Sequence, residues 1–211
     1  MSQHSKPPIR ILTVDDHPLL REGIAAILQL QQDMELVGEA EDGKQAVEIF
    51  HRLKPDVTLM DLQMPVLGGV EAITRIRSDF PGARIIVLTT YAGDVQALRA
   101  MRAGAAGYLL KGALRRELLD TIRAVHAGRR YLQPEIAQRI ALHSSEDSLS
   151  EKEIGVLKLV ATGKANKEIA GALAVSEDTV KAHLKSVFAK LGVSDRTQAV
   201  TLALKRGIIE L

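Results

Sequence analysis

The first 130 residues alternate short apolar runs with longer amphipathic stretches. Runs of four to six at 9–14, 36–40, 57–60, 85–88 and 107–110 predict strands, and apolar positions at helical spacing predict helices over 19–30, 44–53, 70–77, 95–103 and 114–127. The runs are apolar enough to be covered on both faces, so the alternation predicts a parallel sheet sandwiched by helices. From about residue 130 the pattern changes. YLQPEIAQRIAL predicts a short helix after Pro134, HSSEDS is polar and turn-rich, and the rest of the chain is helical. This gives an N-terminal tail at 1–8, a first domain at 9–129, a linker at 130–147 and a second domain at 148–211.

Within the second domain, four helical segments are bounded by capping signals. Ser150, Ser176 and Ser194 stand at N-cap positions, and Gly163, Gly192 and Gly207 stand where helices stop. NKEIAGAL, then AVS, then EDTVKAHLKSVFAKL reads as helix, tight turn, helix. No internal repeat is visible beyond the βα alternation.

Composition narrows the setting. The chain has no cysteine, which excludes disulfides, thiolate metal sites and cysteine nucleophiles and makes a reducing compartment, the cytoplasm, the expected location. The polar, Pro-containing start MSQHSKPPIR has no apolar segment behind it, and no run approaches the ~20 residues of a membrane span. A soluble, unexported protein is expected. The net charge of +2 names no partner, but residues 179–190 carry Lys181, Lys185, Lys190 and His183 and no acid, a segment suited to phosphates.

In a doubly wound sheet the site lies beyond the carboxyl ends of the strands. Polar residues collect there: Asp15 and Asp16 close the first strand, Asp61 the third, Thr89 and Thr90 the fourth and Lys111 the fifth. Three carboxylates offer an all-oxygen pocket suited to Mg²⁺, a hard cation that accepts one or two carboxylates plus phosphate oxygens. Lys111 adds a permanent positive charge. His17 beside the acids is read as structural, because oxygen donors suit Mg²⁺ better.

In the basic segment helical phase separates core from surface. Val180, Leu184, Val187, Phe188 and Leu191 form one apolar stripe, which turns Lys181, Ala182, Lys185 and Ala189 outward. Alanines between lysines let a helix lie close in a major groove, where Lys181 and Lys185 reach guanine acceptors or phosphates and Ala182 a thymine methyl.

VDDH, LMDLQMP, VLTTY and GYLLK, in that order and spacing, resemble the receiver domain of bacterial two-component response regulators. LSEKEIGVL, GKANKEIA and SEDTVKAHLKSVFAKLGVSDRTQAV resemble the LuxR/NarL-type DNA-binding domain. The resemblance implies an α/β plus all-α chain: a flavodoxin-like (βα)5 doubly wound parallel sheet, then a four-helix helix-turn-helix domain. It implies that Asp61 accepts a phosphoryl group from a sensor histidine kinase, with Mg²⁺ held directly by Asp16 and Asp61, directly or through water by Asp15, and by the Gln63 backbone carbonyl. Thr89 would hydrogen-bond the phosphoryl group, Lys111 would ion-pair with it, and Tyr108 would turn inward as Thr89 moves. Lys181, Ala182 and Lys185 would face the bases of double-stranded promoter DNA, with Thr179 on a phosphate. A homodimer on two half-sites is implied on phosphorylation, with Val200 and Leu204 as candidate contacts.

Two departures stand out. Gly68 and Gly69 stand where the family often has an acid then a glycine, and Gly112 follows Lys111 where many receivers place proline. Two other functions stay open at this stage. A haloacid-dehalogenase-like phosphatase also forms an aspartyl phosphate, but carries a second acid two residues on, where this chain has Gln63. A receiver that is never phosphorylated, joined to a helix-turn-helix that binds protein, is the other.

Overall fold

The structure, a computed structural model, describes residues 7–90, 93–143 and 149–209. Expectations for the first six residues and for 144–148 lie outside the described residues. Two compact units emerge, one running to Thr90 and resuming over Ala97–Pro134, the other taking in Glu135 onward together with the segment ending at Gln96.

The first unit is a parallel sheet with helices between its strands. β1 (Ile9–Val14), α1 (Pro18–Gln29), β2 (Met34–Ala40), α2 (Gly43–Leu53), β3 (Val57–Asp61), α3 (Gly69–Asp79), β4 (Ile85–Thr89), α4 (Asp94–Ala103), β5 (Gly107–Leu110) and α5 (Leu114–His126) follow the alternation read from the sequence. The strand order is β2-β1-β3-β4-β5-β6, all pairs parallel, so the order reverses at β1 beside β3. Alternate strand residues explain the two-sided core. Ile9, Ile11, Val57, Leu59, Ile86, Leu88 and Leu109 meet Ile24 and Leu28 of α1 and Leu118, Ile122 and Val125 of α5 in one cluster. Their neighbours Leu12, Val14, Met60, Ile85 and Val87 are equally buried and face the other way.

The sequence reading is corrected at one edge. β6 (Tyr131–Leu132) is a sixth strand, pairing Gly107 with Tyr131 and Tyr108 with Leu132, inside the stretch taken as linker. Two residues carry no periodicity, and their pairing depends on β5, 24 positions back by the Gly107 to Tyr131 register. α6 (Pro134–His143) then begins at the proline, as expected, because proline suits the first helical turn.

The second unit contains α7 (Glu151–Ala161), α8 (Asn166–Leu173), α9 (Glu177–Leu191) and α10 (Arg196–Lys205). Ser150 caps α7 in a reciprocal capping box with Glu153, and Ser176 caps α9 by accepting from Thr179 N. The expected cap Ser194 is one residue early: Asp195 caps α10, its carboxylate accepting from Gln198 N at 2.8 Å. Gly163, Gly192 and Gly207 all have positive φ. Among the described residues no helix is long and apolar enough to cross a membrane.

Candidate functional site

Strand register assembles the acidic site. Val14 pairs with Met60, so Asp15 and Asp61 emerge side by side one step further on. Asp61 pairs with Leu88, which puts Thr89 one step beyond it; Thr89 pairs with Leu110, which puts Lys111 one step beyond that. The four groups therefore climb across β1, β3, β4 and β5 at a single edge of the sheet.

Within this edge the charges interlock. Lys111 Nζ lies 2.7 Å from Asp15 Oδ2 and 2.7 Å from Asp61 Oδ2. Asp15 is fully buried and Asp61 nearly so. Asp61 Oδ1 accepts from the backbone N–H of Leu62 at 2.7 Å and of Gln63 at 3.4 Å. Burial pushes the Asp61 carboxyl up, aided by the charge of Asp15, and Lys111 only partly offsets this. Burial works against charge on Lys111 too, but its bonds to Asp15 and Asp61 prevail and hold its pKa above the ordinary value. Behind the site, the Arg21 guanidinium donates to the Asp15 carbonyl oxygen at 2.6 Å and pairs with Glu41, which fixes the end of β1.

Asp15, Asp16, His17 and Asp61 each offer a ligand atom within 4.8 Å of the others. Three carboxylates so close repel one another, and a single lysine leaves negative charge uncompensated; the oxygen donors fit a hard divalent cation such as Mg²⁺. His17, read from sequence as structural, is drawn into this cluster. Its Nδ1 lies 2.7 Å from Asp16 Oδ1 and 3.1 Å from Asp15 Oδ1.

Thr89 is buried and Thr90 exposed, which separates two residues of equal sequence merit. Tyr108 is fully buried, and its side chain hydrogen-bonds Thr89; burial raises its hydroxyl pKa well above the usual tyrosine range. The ring expected to turn inward is thus already inside.

The loop between β3 and α3 is closely fitted. Gly69 N–H donates to the Leu62 carbonyl, and Gly43 N–H to that of Leu67. Val66 in this loop is exposed with φ +66°, a strained backbone for a β-branched residue.

The second unit presents the basic face that helical phase requires. Val180, Leu184, Val187 and Leu191 are buried, whereas Lys181, Ala182, Lys185 and Ala189 are exposed and Thr179 is half-buried. Ala174, left-handed at φ +53°, makes the tight turn from α8 to α9. Lys181 pairs with Asp178 at 3.1 Å and Glu177 at 3.7 Å on its own helix. Beneath this face Glu153 is buried, accepting from Ser186 Oγ at 2.6 Å and pairing with Lys190 at 2.8 Å.

One further group has no counterpart in the sequence reading. Buried Gln133, just before α6, accepts from Leu110 N at 3.0 Å and donates to Glu117 Oε2 at 3.0 Å. A lone glutamine before a proline carries no signal of such long-range bonds.

The two domains of the fold agree with known proteins. Residues 11–123 match the response regulator receiver domain, and residues 147–203 match the luxR family of bacterial regulatory proteins. The chain belongs to the response regulator family. It is a transcription factor with a LuxR-type DNA-binding domain, not a catalytic enzyme, which sets the phosphatase reading aside. The response regulator protein VraR of Staphylococcus aureus is 38% identical over 207 residues, covering 96% of this chain and 99% of VraR. The crystal structure of the response regulator ChrA, from a heme-sensing two-component system, is 37% identical with a TM-score of 0.57, covering 97% of this chain and all of ChrA. The response regulator RcsB, solved in a complex with DNA, is 27% identical with a TM-score of 0.69, covering 94% and 98%.

Proposed function

We propose that residues 9–129, extended by the edge strand at 131–132, receive a phosphoryl group on Asp61 from a sensor histidine kinase, and that this controls promoter binding by residues 148–211 across the 130–147 link. The observation that carries this reading is Lys111 Nζ held 2.7 Å from both Asp15 and Asp61 at the strand ends. An Asp61 oxygen attacks the phosphorus of the kinase phosphohistidine; the P–O bond forms as the P–N bond breaks, and the imidazole leaves. Asp15, Asp16, Asp61 and the Gln63 carbonyl would hold Mg²⁺, which when bound neutralises phosphoryl oxygens. Lys111 then exchanges a carboxylate for a phosphoryl oxygen, and the Thr89 hydroxyl donates to another. Thr89's bond to Tyr108 carries that movement to a buried ring. The modification adds nearly two negative charges at one strand end, enough to rebuild adjacent loops.

For the output domain, Lys181, Ala182 and Lys185 are placed to meet base edges of double-stranded DNA and Thr179 a phosphate. RcsB structures with DNA, one of them holding two RcsB dimers on two parallel DNAs, support binding as a homodimer on paired half-sites.

The test is intact mass after incubation with a small acyl phosphate, with and without Mg²⁺, on wild type and Asp61→Ala. A single phosphoryl increment that needs both Mg²⁺ and Asp61 is expected. No increment in the wild type under any condition would return the phosphorylation-independent interaction module to first place.

A further inference from the structure

We propose that Gln133 is a positioning residue for Lys111, tying the two flanks of the Lys111 turn to the segment that leaves the receiver. The inference rests on the reading of Asp61 as phosphoacceptor and Lys111 as its cationic partner, and adds a control on that site.

Leu110 is the last residue of β5 and the one before Lys111. On one side of β5 its strand pairs with β4, Leu110 opposite Thr89. On the other side β6 ends with Leu132 opposite Tyr108, too early to reach Leu110. The Gln133 side chain takes the place of the backbone carbonyl with which a longer β6 would meet Leu110, its Oε1 accepting from Leu110 N at 3.0 Å. Gln133 Nε2 donates to Glu117 Oε2, which also accepts from the Tyr131 hydroxyl at 2.5 Å. The Glu117 carboxyl is correspondingly held below its ordinary value, by Tyr131 first and Gln133 second.

Leu110 precedes the single 3₁₀ turn Lys111–Ala113, and Glu117 lies in the first turn of α5 just after it. One amide therefore bonds both flanks of the turn that presents Lys111. Within the turn, Gly112 adds little stiffness: a Cβ built on it would meet nothing within 4 Å, and it stands where proline would restrict the chain. Gln133 is also the residue directly before Pro134, the start of α6. When Lys111 trades a carboxylate for a phosphoryl oxygen, its turn shifts against Gln133; when residues 131–133 unseat, Lys111 loses its support. The buried amide makes this coupling stiff, since breaking either bond leaves a polar group unpaired.

The test uses the full chain, a small acyl phosphate with Mg²⁺, and phosphoryl acquisition followed by intact mass. Gln133→Ala is expected to slow acquisition about three- to thirty-fold, as misplaced reacting groups do. In a Lys111→Met background, followed over longer incubation, Gln133→Ala is expected to make no further difference. Glu117→Gln, whose carbonyl still accepts both bonds, should stay within about two-fold of wild type, while Glu117→Leu should fall with Gln133→Ala. Equal slowing by Gln133→Ala with and without Lys111 would mean a merely structural role and overturn the proposal. Wild-type rates in Gln133→Ala would overturn it while leaving the Asp61 reading intact; absence of any increment in wild type would overturn both. Should Gln133→Ala fail to fold, amide hydrogen exchange of wild type decides: faster or slower exchange at residues 131–133 and Leu110 on phosphorylation is expected, and unchanged exchange refutes the coupling.

Discussion

Gly69 sits so near Asp61 that a Cβ built on it would lie 2.0 Å from the Asp61 carbonyl oxygen and 2.8 Å from Leu62 Cα. The first turn of α3 thus rests directly on the backbone that presents Asp61, the proposed phosphoacceptor. Even a methyl group requires that backbone to move. Gly69→Ala should destabilise the receiver by about 1–3 kcal/mol and depress phosphoryl acquisition, whereas Gly68→Ala, with its nearest neighbour 3.6 Å away, should do neither. Thermal unfolding and intact mass on the two variants check this.

Val66 holds a left-handed backbone with its side chain in water. That conformation disfavours a β-branched residue and suits asparagine. Val66→Asn should therefore raise stability by about 1 kcal/mol without altering the Asp61 site. Urea denaturation of the two proteins gives the difference, and a loss of stability in Val66→Asn would contradict it.

Glu153 gives the second unit a pH dependence of definite sign. Burial pushes its carboxyl up, but Lys190, Ser186 and the Ser150 cap outweigh burial and hold it at about 2, against 4.5 ordinarily. A depressed carboxylate contributes stability that is complete above the unfolded pKa and disappears as pH falls through the folded one. Stability should decline from pH 4.5 toward 2. Glu153→Gln should cost about 1–3 kcal/mol at neutral pH and show a shallower decline over that acid range, measured by urea unfolding at a series of pH values.

On α9 the two outward lysines differ. Lys181 is engaged by Asp178 and Glu177, while Lys185 is exposed with no ion pair among the described residues. Lys185→Ala should cost about 1–3 kcal/mol on DNA selected by the wild type and flatten the preference for it. Thr179→Ala should weaken selected and unrelated DNA alike. Titrations on both DNAs at several salt concentrations separate the outcomes, and equal losses on both DNAs for Lys185→Ala would assign that lysine to phosphates instead.

Much of this was legible in the sequence because the signals are local. Apolar runs locate β1 to β5 within a residue or two, and the C-terminal ends of those runs carry Asp15, Asp16, Asp61, Thr89 and Lys111. Helical phase likewise turned Lys181, Ala182 and Lys185 outward. What escaped depends on tertiary partners: β6 is two residues that exist as a strand only beside β5, and Gln133 acquires meaning only from Leu110 and Glu117. Ser194 stands one residue before the actual cap; Ser and Asp are adjacent and equally good caps, and helix phase selects Asp195. His17, read as structural because oxygen donors suit Mg²⁺ better, has its Nδ1 2.7 Å from Asp16 Oδ1, a distance that ligand preference does not supply.

The staircase of registers from Val14–Met60 through Asp61–Leu88 to Thr89–Leu110 has a consequence for the timing of competence. A slip of one residue at any of these three seams would send a carboxylate, hydroxyl or amine to the opposite face of the sheet. A chain still emerging from synthesis has its acids first and its lysine last, so the pocket lacks even this partial compensation until the fifth strand is laid down. A copy that stops short of the fifth strand therefore carries the acids without the lysine that bridges Asp15 and Asp61.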